Sequence, residues 1–267
     1  TYDLDDKQLD KLLSPTIKYY QDILHDDYRK AILFLYGEGL NKKNVQCLPN
    51  DFIKSLLIDG NVLNDSYIYN RIYHMIRKQI DKAKIGRIKI HANYSVISGD
   101  PYALCQSMFG LPVTGLLKRG EGYNSYWSTN LGCNVLCFRA PMSCHNNIRK
   151  LKMVKNKNID YWYQYMKGVT ILNAWDTTTA ATNGADFDGD CYFLTDNDVL
   201  LNNFRPLPTI MCIQRKADKQ IITEQNLAQS NEDGFGNEVG VVTNRVTSHI
   251  CLQSGFSKDS KEYKELE

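Results

Sequence analysis

Residues 186–190 read Asp-Phe-Asp-Gly-Asp, within the longer run Asn183-Gly-Ala-Asp-Phe-Asp-Gly-Asp-Cys-Tyr-Phe-Leu194. Three carboxylates therefore stand at alternate positions, and any fold of this chain must hold them together against their mutual repulsion. On an extended backbone, side chains at i, i+2 and i+4 project to one side. Asp186, Asp188 and Asp190 are thus predicted to converge around a cation. Oxygen-only ligands suit a hard ion such as magnesium, calcium or manganese. Phe187 is predicted to point the other way into a core, and Gly189 to let the backbone turn tightly around the ion.

Spacing excludes an EF-hand. A loop of that kind starting at Asp186 needs glycine at its sixth position and a bidentate glutamate at its twelfth, where this chain has Cys191 and Asn197. Starting at Asp188 puts Phe193 and Val199 there instead. A solvated acidic turn between two strands is the plainer alternative. The apolar run Cys191-Tyr192-Phe193-Leu194 favours a rigidly held turn over that one.

The chain has 267 residues, 43% of them hydrophobic, enough for one large domain or two small ones with a buried core. Its formal charge of +2 excludes a generic polyanion binder, yet positive charge is locally dense. One run holds Arg77, Lys78, Lys82, Lys84, Arg87 and Lys89, and another holds Arg149, Lys150, Lys152, Lys155 and Lys157. Each reads either as a solvated face or as a set of phosphate contacts. Cys133, Cys137, Cys144 and His145 raise the question of zinc, but their spacing lacks the paired ligands of a zinc knuckle. Cys137 lies in an apolar run, Val135 to Phe138, that reads as a buried strand. With neither a secretory signal nor a long apolar span, reduced thiols in a cytoplasmic compartment and no membrane association are expected. The first residue is Thr1 and the last four are Lys264-Glu265-Leu266-Glu267, which reads as a piece excised from a longer protein.

Apolar residues recur at three- and four-residue intervals from Leu9 through Leu35, predicting a helical lobe over residues 1–85. Pro49-Asn50-Asp51 starts a further short helix. Asp65 is predicted to cap a longer one striped by Ile68, Ile72, Met75, Ile76 and Ile80. From Gly86 the pattern changes to period two, Arg87-Ile88-Lys89-Ile90-His91-Ala92, and a β-rich domain is predicted over 86–215. Within it, Asp100-Pro101 opens a short helix that Gly110 ends. Strands are predicted near 134–139, 168–173, 191–195 and 208–213, with a helix around Tyr161 to Met166. Residues 216–267 return to helix, interrupted at Asp233-Gly234-Phe235-Gly236-Asn237.

Three carboxylates on one loop, preceded by basic segments, suit nucleotidyl transfer, in which magnesium activates a sugar hydroxyl and stabilises charge on the attacked phosphate. A Walker A loop, a Gly-x-Ser-x-Gly elbow, a His-Glu-x-x-His helix and a dinucleotide fingerprint are all missing from the sequence. The string Ala185-Asp-Phe-Asp-Gly-Asp190 resembles the hallmark of the two-barrel, double-psi β-barrel RNA polymerases. Upstream, Phe138-Arg139-Ala140-Pro141-Met142-Ser143-Cys144-His145 resembles the Arg-x-Pro-x-x-His segment of the same barrel, with one extra residue before the histidine. Asp190-Cys191-Tyr192-Phe193 is similar to the silencing and phage branches. The segment from about Asn93 to Leu266 looks similar to large phage or mobile-element polymerase-like proteins.

The resemblance implies an α+β fold: a double-psi β-barrel with an N-terminal helical lobe and C-terminal helices. It implies a Mg2+-dependent nucleotidyltransferase, a fragment of a template-directed RNA polymerase in which Asp186, Asp188 and Asp190 are both catalytic and metal-binding. It further implies that Arg139 donates to the ribose or phosphate of the incoming nucleotide, that Pro141 walls the base, and that Asn183 contacts the sugar. The implied partners are a nucleic-acid template, an RNA product, nucleoside triphosphates and a second barrel carrying lysines, in a bacterial or phage-infected cell. Two other readings stay open: a metal-dependent nucleic-acid-binding module of the same fold without polymerase activity, and a calcium-stabilised structural protein.

Overall fold

The computed structural model describes residues 4–25, 27–36, 51–129, 133–142, 147–182, 184–209, 219, 221–235, 238–257 and 259–266. The chain divides into two compact units, Asp3–His91 and Ala92–Glu267. The first contains the helices α1 (Asp6–His25), α2 (Tyr28–Tyr36), α3 (Asp51–Ile58) and α4 (Ser66–Lys84). Asp65 caps α4, its carboxylate accepting from the Tyr67 and Ile68 N–H groups. Helical spacing gathers Ile23, Ile32, Ile53, Leu56, Ile72 and Ile76 into one core. The predicted α4 stripe is only partly internal, since Met75 and Ile80 lie toward solvent on the flanks of the buried Ile72 and Ile76.

The second unit is organised by six strands: β1 (Ala92–Ser98), β2 (Glu121–Asn124), β3 (Asn134–Phe138), β4 (Arg149–Met153), β5 (Val169–Leu172) and β6 (Cys191–Thr195). They close into a barrel in the order β1-β5-β2-β4-β3-β6. Pairs β1–β5 and β2–β4 are parallel and the other four are antiparallel. Closure leaves no exposed sheet edge. These directions bring the starts of β2, β4 and β6 and the ends of β1, β3 and β5 to a single rim. Between and after the strands come α5 (Pro101–Met108), α6 (Lys157–Tyr163), α7 (Thr178–Ala181), α8 (Asp198–Asn203), α9 (Glu224–Phe235), α10 (Glu238–Gln253) and α11 (Lys261–Leu266).

The period-two run at 87–91 is not a strand; pairing begins only at Ala92, where β6 supplies the partner Thr195. The helix expected around 161–166 starts earlier, because Asn156 caps α6 at the Asn158 and Ile159 N–H groups, and it ends at Tyr163. Helix α9 ends at Phe235 and α10 begins at Glu238, so of the interruption expected over 233–237 the first three residues are helical and 236–237 lie outside the described residues. Of the strand expected over 208–213, Pro208 and Thr209 are irregular and 210–213 lie outside the described residues.

Ile97, Val135, Cys137, Leu151, Met153, Leu172, Tyr192 and Leu194 meet in the barrel core. A second cluster, Leu117, Tyr123, Ile159, Tyr163 and Ile171, packs α6 against the outside of the wall. Asp100 ties that layer to the barrel. Its carboxylate accepts from the Tyr102 and Ala103 N–H groups at the start of α5, from the Leu116 N–H at 3.0 Å and from the Tyr163 hydroxyl at 2.6 Å.

Candidate metal centre

The acidic loop sits between α7 and β6, and both of its ends are anchored. On the α7 side, the Thr182 hydroxyl bonds the Thr179 carbonyl at 2.8 Å and the buried Tyr192 hydroxyl at 2.7 Å. On the β6 side, the Ile97 N–H donates to the Asp190 carbonyl at 2.9 Å, extending the β1–β6 ladder one residue into the loop. Gly189 has φ +128, a conformation that L side chains rarely adopt, so only glycine turns the chain there without strain. Asp190 therefore stands at the rim as β6 begins, with Asp186 and Asp188 brought back beside it.

Oxygen atoms of Asp186, Asp188 and Asp190 all lie within 4.8 Å of one another. Strand alternation predicts this convergence, but residues 184 and 187–189 form bends and 185–186 are irregular, so the loop is not a strand. Phe187 shows the consequence: it is half exposed rather than in a core. Its ring lies against Gly99, where an added Cβ would come within 3.1 Å of it.

Electrostatics separate the three acids. The Arg139 guanidinium, extending from the end of β3, meets Asp190 at 2.8 Å, and the Asp186 N–H donates to the same Oδ2 at 3.0 Å. Arg139 and then this N–H hold the Asp190 carboxyl below the usual carboxylate range. Asp188 has the opposite environment. The Asp186 carboxylate, by hydrogen bonding and by charge, pushes the Asp188 carboxyl up, and Asp190 adds to the effect. One acid is thus matched by a cation while the other two repel.

The residues fit a hard divalent ion. An octahedral Mg2+ with oxygen ligands at about 2.1 Å separates them by about 3.0 Å or, across the ion, about 4.2 Å, a scale comparable with the gathered carboxylates. Among the described residues this trio is the single group of His, Cys, Asp and Glu side chains so gathered. Cys137 is unsuited to a zinc site, since it is fully buried in β3 and desolvation pushes its thiol up, away from the thiolate form. Cys144 and His145 lie outside the described residues, as does Asn183. Pro141 follows Arg139 by two residues, after a cis peptide bond from Ala140. Sequence reasoning did not reach the Arg139–Asp190 pair, the Thr182–Tyr192 clamp or the Phe187–Gly99 contact. The first and third depend on strand pairing that brings distant segments to one rim, and the second on how the loop closes back on the start of β6.

Fold and site together define an α+β protein built on a closed double-psi β-barrel, with an acidic loop at its rim. Its likeness to solved structures lies in the same class: the RNA dependent RNA polymerase QDE-1 from Thielavia terrestris superposes with a TM-score of 0.54 at 15% identity, covering 91% of this chain and 28% of that one. Sequence comparison finds a probable RNA-dependent RNA polymerase 3 of Arabidopsis thaliana, 23% identical over 192 residues, which are 70% of this chain and 18% of the relative. A probable RNA-dependent RNA polymerase 3 of Oryza sativa subsp. japonica is 26% identical over 170 residues, 62% of this chain and 14% of the relative. The matched region is thus under a fifth of each curated relative. No family model matches the chain. These likenesses support the double-psi β-barrel RNA polymerase family.

Proposed function

We propose that this chain is the aspartate-bearing barrel of a template-directed RNA polymerase and carries its metal-binding loop for nucleotidyl transfer. The observation that carries this reading is the convergence of Asp186, Asp188 and Asp190 within 4.8 Å on a loop anchored at both ends. RNA as template is the reading supported by the named relatives, each a probable RNA-dependent RNA polymerase.

In this reading Asp186, Asp188 and Asp190 hold Mg2+, which when bound supplies activation of a 3′-hydroxyl and neutralisation of the attacked phosphate. Gly189 and the Ile97–Asp190 bond fix where the carboxylates stand, so their positioning does not depend on the substrate. Arg139 neutralises Asp190 in the resting site and turns to the ribose or phosphate of an incoming nucleoside triphosphate. Pro141 walls the base, and Asn183 contacts the sugar. A lysine-bearing second barrel completes the active centre. The run Asp190-Cys191-Tyr192-Phe193 supports a place beside the silencing and phage branches of the family.

The test is ribonucleotide incorporation on an RNA template by the full-length protein that carries this sequence, compared with its Asp188→Ala variant. The variant is expected to lose several orders of magnitude in rate, because the ion and its positioning go together; incorporation at the unaltered rate overturns the assignment. The second reading, a nucleic-acid-binding module without polymerase activity, is favoured by the presence of one barrel among the described residues. It expects incorporation at background together with salt-sensitive RNA binding.

A further inference from the structure

The outer wall of the barrel carries a second site that the acidic loop does not use. A cavity of about 510 Å3 lies over β2, β4 and the start of β3 and is lined by Arg119, Arg149, Lys150, Lys152, Asp176 and Phe204, among others. Its volume is within the range of pockets that take a nucleotide-sized ligand. Four cations face one carboxylate there, in a chain whose formal charge is only +2, so the positive charge is concentrated.

Strand geometry sets the array. In β4, Leu151 and Met153 point into the core while Lys150 and Lys152 point out, which spaces the two ammonium stems about 7 Å apart on one face. Lys152 pairs with Glu121 of β2, and its N–H donates to the Gly120 carbonyl, so Arg119 is held next to it. Arg149 closes one side, its guanidinium donating to the Leu207 carbonyl at 3.0 Å and to that of Pro208 at 3.5 Å, which fastens the segment after α8 over the cavity. Phe204, partly exposed, supplies an aromatic edge.

The one acid is already engaged. Asp176 accepts from the Gly120 N–H and the Asn173 amide, both at 2.8 Å, and from the Thr178 N–H at 2.9 Å. Among the described residues, the side chains of Arg119, Lys150 and Lys152 make neither an ion pair nor a hydrogen bond. Their donors face the cavity unspent, and all three side chains stay exposed. An open row of cations suits a polymer passing along the wall better than an enclosed small molecule.

We propose that this cavity binds the phosphodiester backbone of a single nucleic-acid strand through Arg119, Lys150 and Lys152. The inference rests on the reading above for the identity of its ligand and adds a strand path to it. Strand β4 is separated from β6 only by β3, and the start of β4 lies toward the rim where Asp190 stands, while Arg119 sits beside Lys152 further along the wall. Lys150 is level with Leu136 and Thr195, five residues along β6 from Asp190, so at about 3.4 Å per residue and about 4.8 Å per strand the cavity lies roughly 20 Å from the acidic loop, a distance that a few nucleotides of one strand span.

The test is fluorescence anisotropy of a labelled 12-nucleotide single-stranded RNA with the 267-residue chain in EDTA, over 50–300 mM salt. Chelation removes the acidic loop's ion, so this experiment can fail while the metal reading stands, and the converse also holds. Each phosphate contact in a single strand contributes about 0.7 to the slope of log affinity against log salt. The R119Q/K150Q/K152Q variant is expected to lose about 2 from that slope and at least tenfold in affinity at 50 mM salt. K150R/K152R, which keeps the charge, is expected to bind as the unaltered chain does. Equal slopes and affinities for the neutralised variant overturn the proposal. Displacement of the RNA by micromolar ATP or tripolyphosphate, dependent on the same three residues, assigns the cavity to a free nucleotide and also overturns it.

Discussion

Replacing Gly189 by alanine isolates the shape of the acidic loop from its chemistry. At φ +128 an added methyl meets no heavy atom within 4 Å, so the substitution introduces no clash and costs only backbone strain. Holding a non-glycine residue in such a region costs about 1–3 kcal/mol. At about 2 kcal/mol, the ratio of the present loop form to relaxed forms falls about 30-fold, because every 1.4 kcal/mol is tenfold in population. An ion that binds only this form then sees its apparent dissociation constant rise by up to about 30-fold. Manganese titration followed by electron paramagnetic resonance reads that change directly. Gly168 is the control: its φ is +73, its methyl would also enter open space, and it lies between α6 and β5, away from the loop. Gly168→Ala is expected to lower stability by about 1–2 kcal/mol and to leave manganese affinity alone. If Gly189→Ala binds manganese as tightly as the unaltered protein, or Gly168→Ala loses affinity equally, the loop is not a preformed site and the argument from its backbone fails.

Arg139→Gln should separate metal binding from catalysis, because removing a cation beside Asp190 favours another cation there. About 2 kcal/mol of relieved repulsion between a unit cation and a divalent ion at 4 Å in water tightens manganese binding about 30-fold, while incorporation by the full-length protein falls; weaker manganese binding contradicts the pairing. Asp100→Ala removes the cap of α5 and strands the Leu116 N–H and the buried Tyr163 hydroxyl, for a loss of about 3 kcal/mol, whereas Tyr163→Phe costs about 1. All three tryptophans lie in the barrel unit, so urea unfolding followed by their fluorescence reports on it alone. Burial would raise the Asp176 carboxyl, but hydrogen bonds from Thr178, Asn173 and the Gly120 N–H outweigh it and hold the carboxyl below its ordinary value of 3.8. A depressed folded value means stabilisation that is complete above the unfolded value and lost as pH falls through the folded one. Asp176→Asn should therefore destabilise the barrel unit at pH 6 and by progressively less as pH falls below 3.8, as urea midpoints across that range will show.

Three of the six strands were legible because their residues are continuous apolar runs: β3, β5 and β6 are buried on both sides and read as such. Strand β2, Glu-Gly-Tyr-Asn, carries no such signal. It is buried because β4 and β5 flank it and Asn124 bonds Thr170 and Ser95 inside the protein. Strand β4 was hidden in a basic run, although Leu151 and Met153 alternate with lysines at period two. The convergence of the aspartates was legible, yet the geometry assumed for it was not the one found. Strand alternation sends Phe187 inward, whereas the bends around Gly184 and Gly189 leave it against Gly99 at the surface. Local pattern determines which residues face a core only where the segment is paired, and pairing here depends on residues far away in the chain.

The closed barrel supplies what the sequence pattern lacks, namely resistance to the repulsion that the pattern creates. An isolated acidic turn relaxes by spreading its carboxylates into water. Here Asp190 is fixed by the Ile97 N–H, the far end of the loop by the Thr182–Tyr192 bond, and Tyr192 by the core around it. Spreading Asp186 and Asp188 away from Asp190 would also break the Asp186 N–H bond to its carboxylate. Among the described residues only one of the three acids is matched by an internal cation, so the other two stand opposed, and the raised Asp188 carboxyl reflects that opposition. A divalent ion held as proposed would relieve it without rearranging the backbone, and electrostatic preorganisation of this kind is what the proposed site for charge developing on phosphate requires.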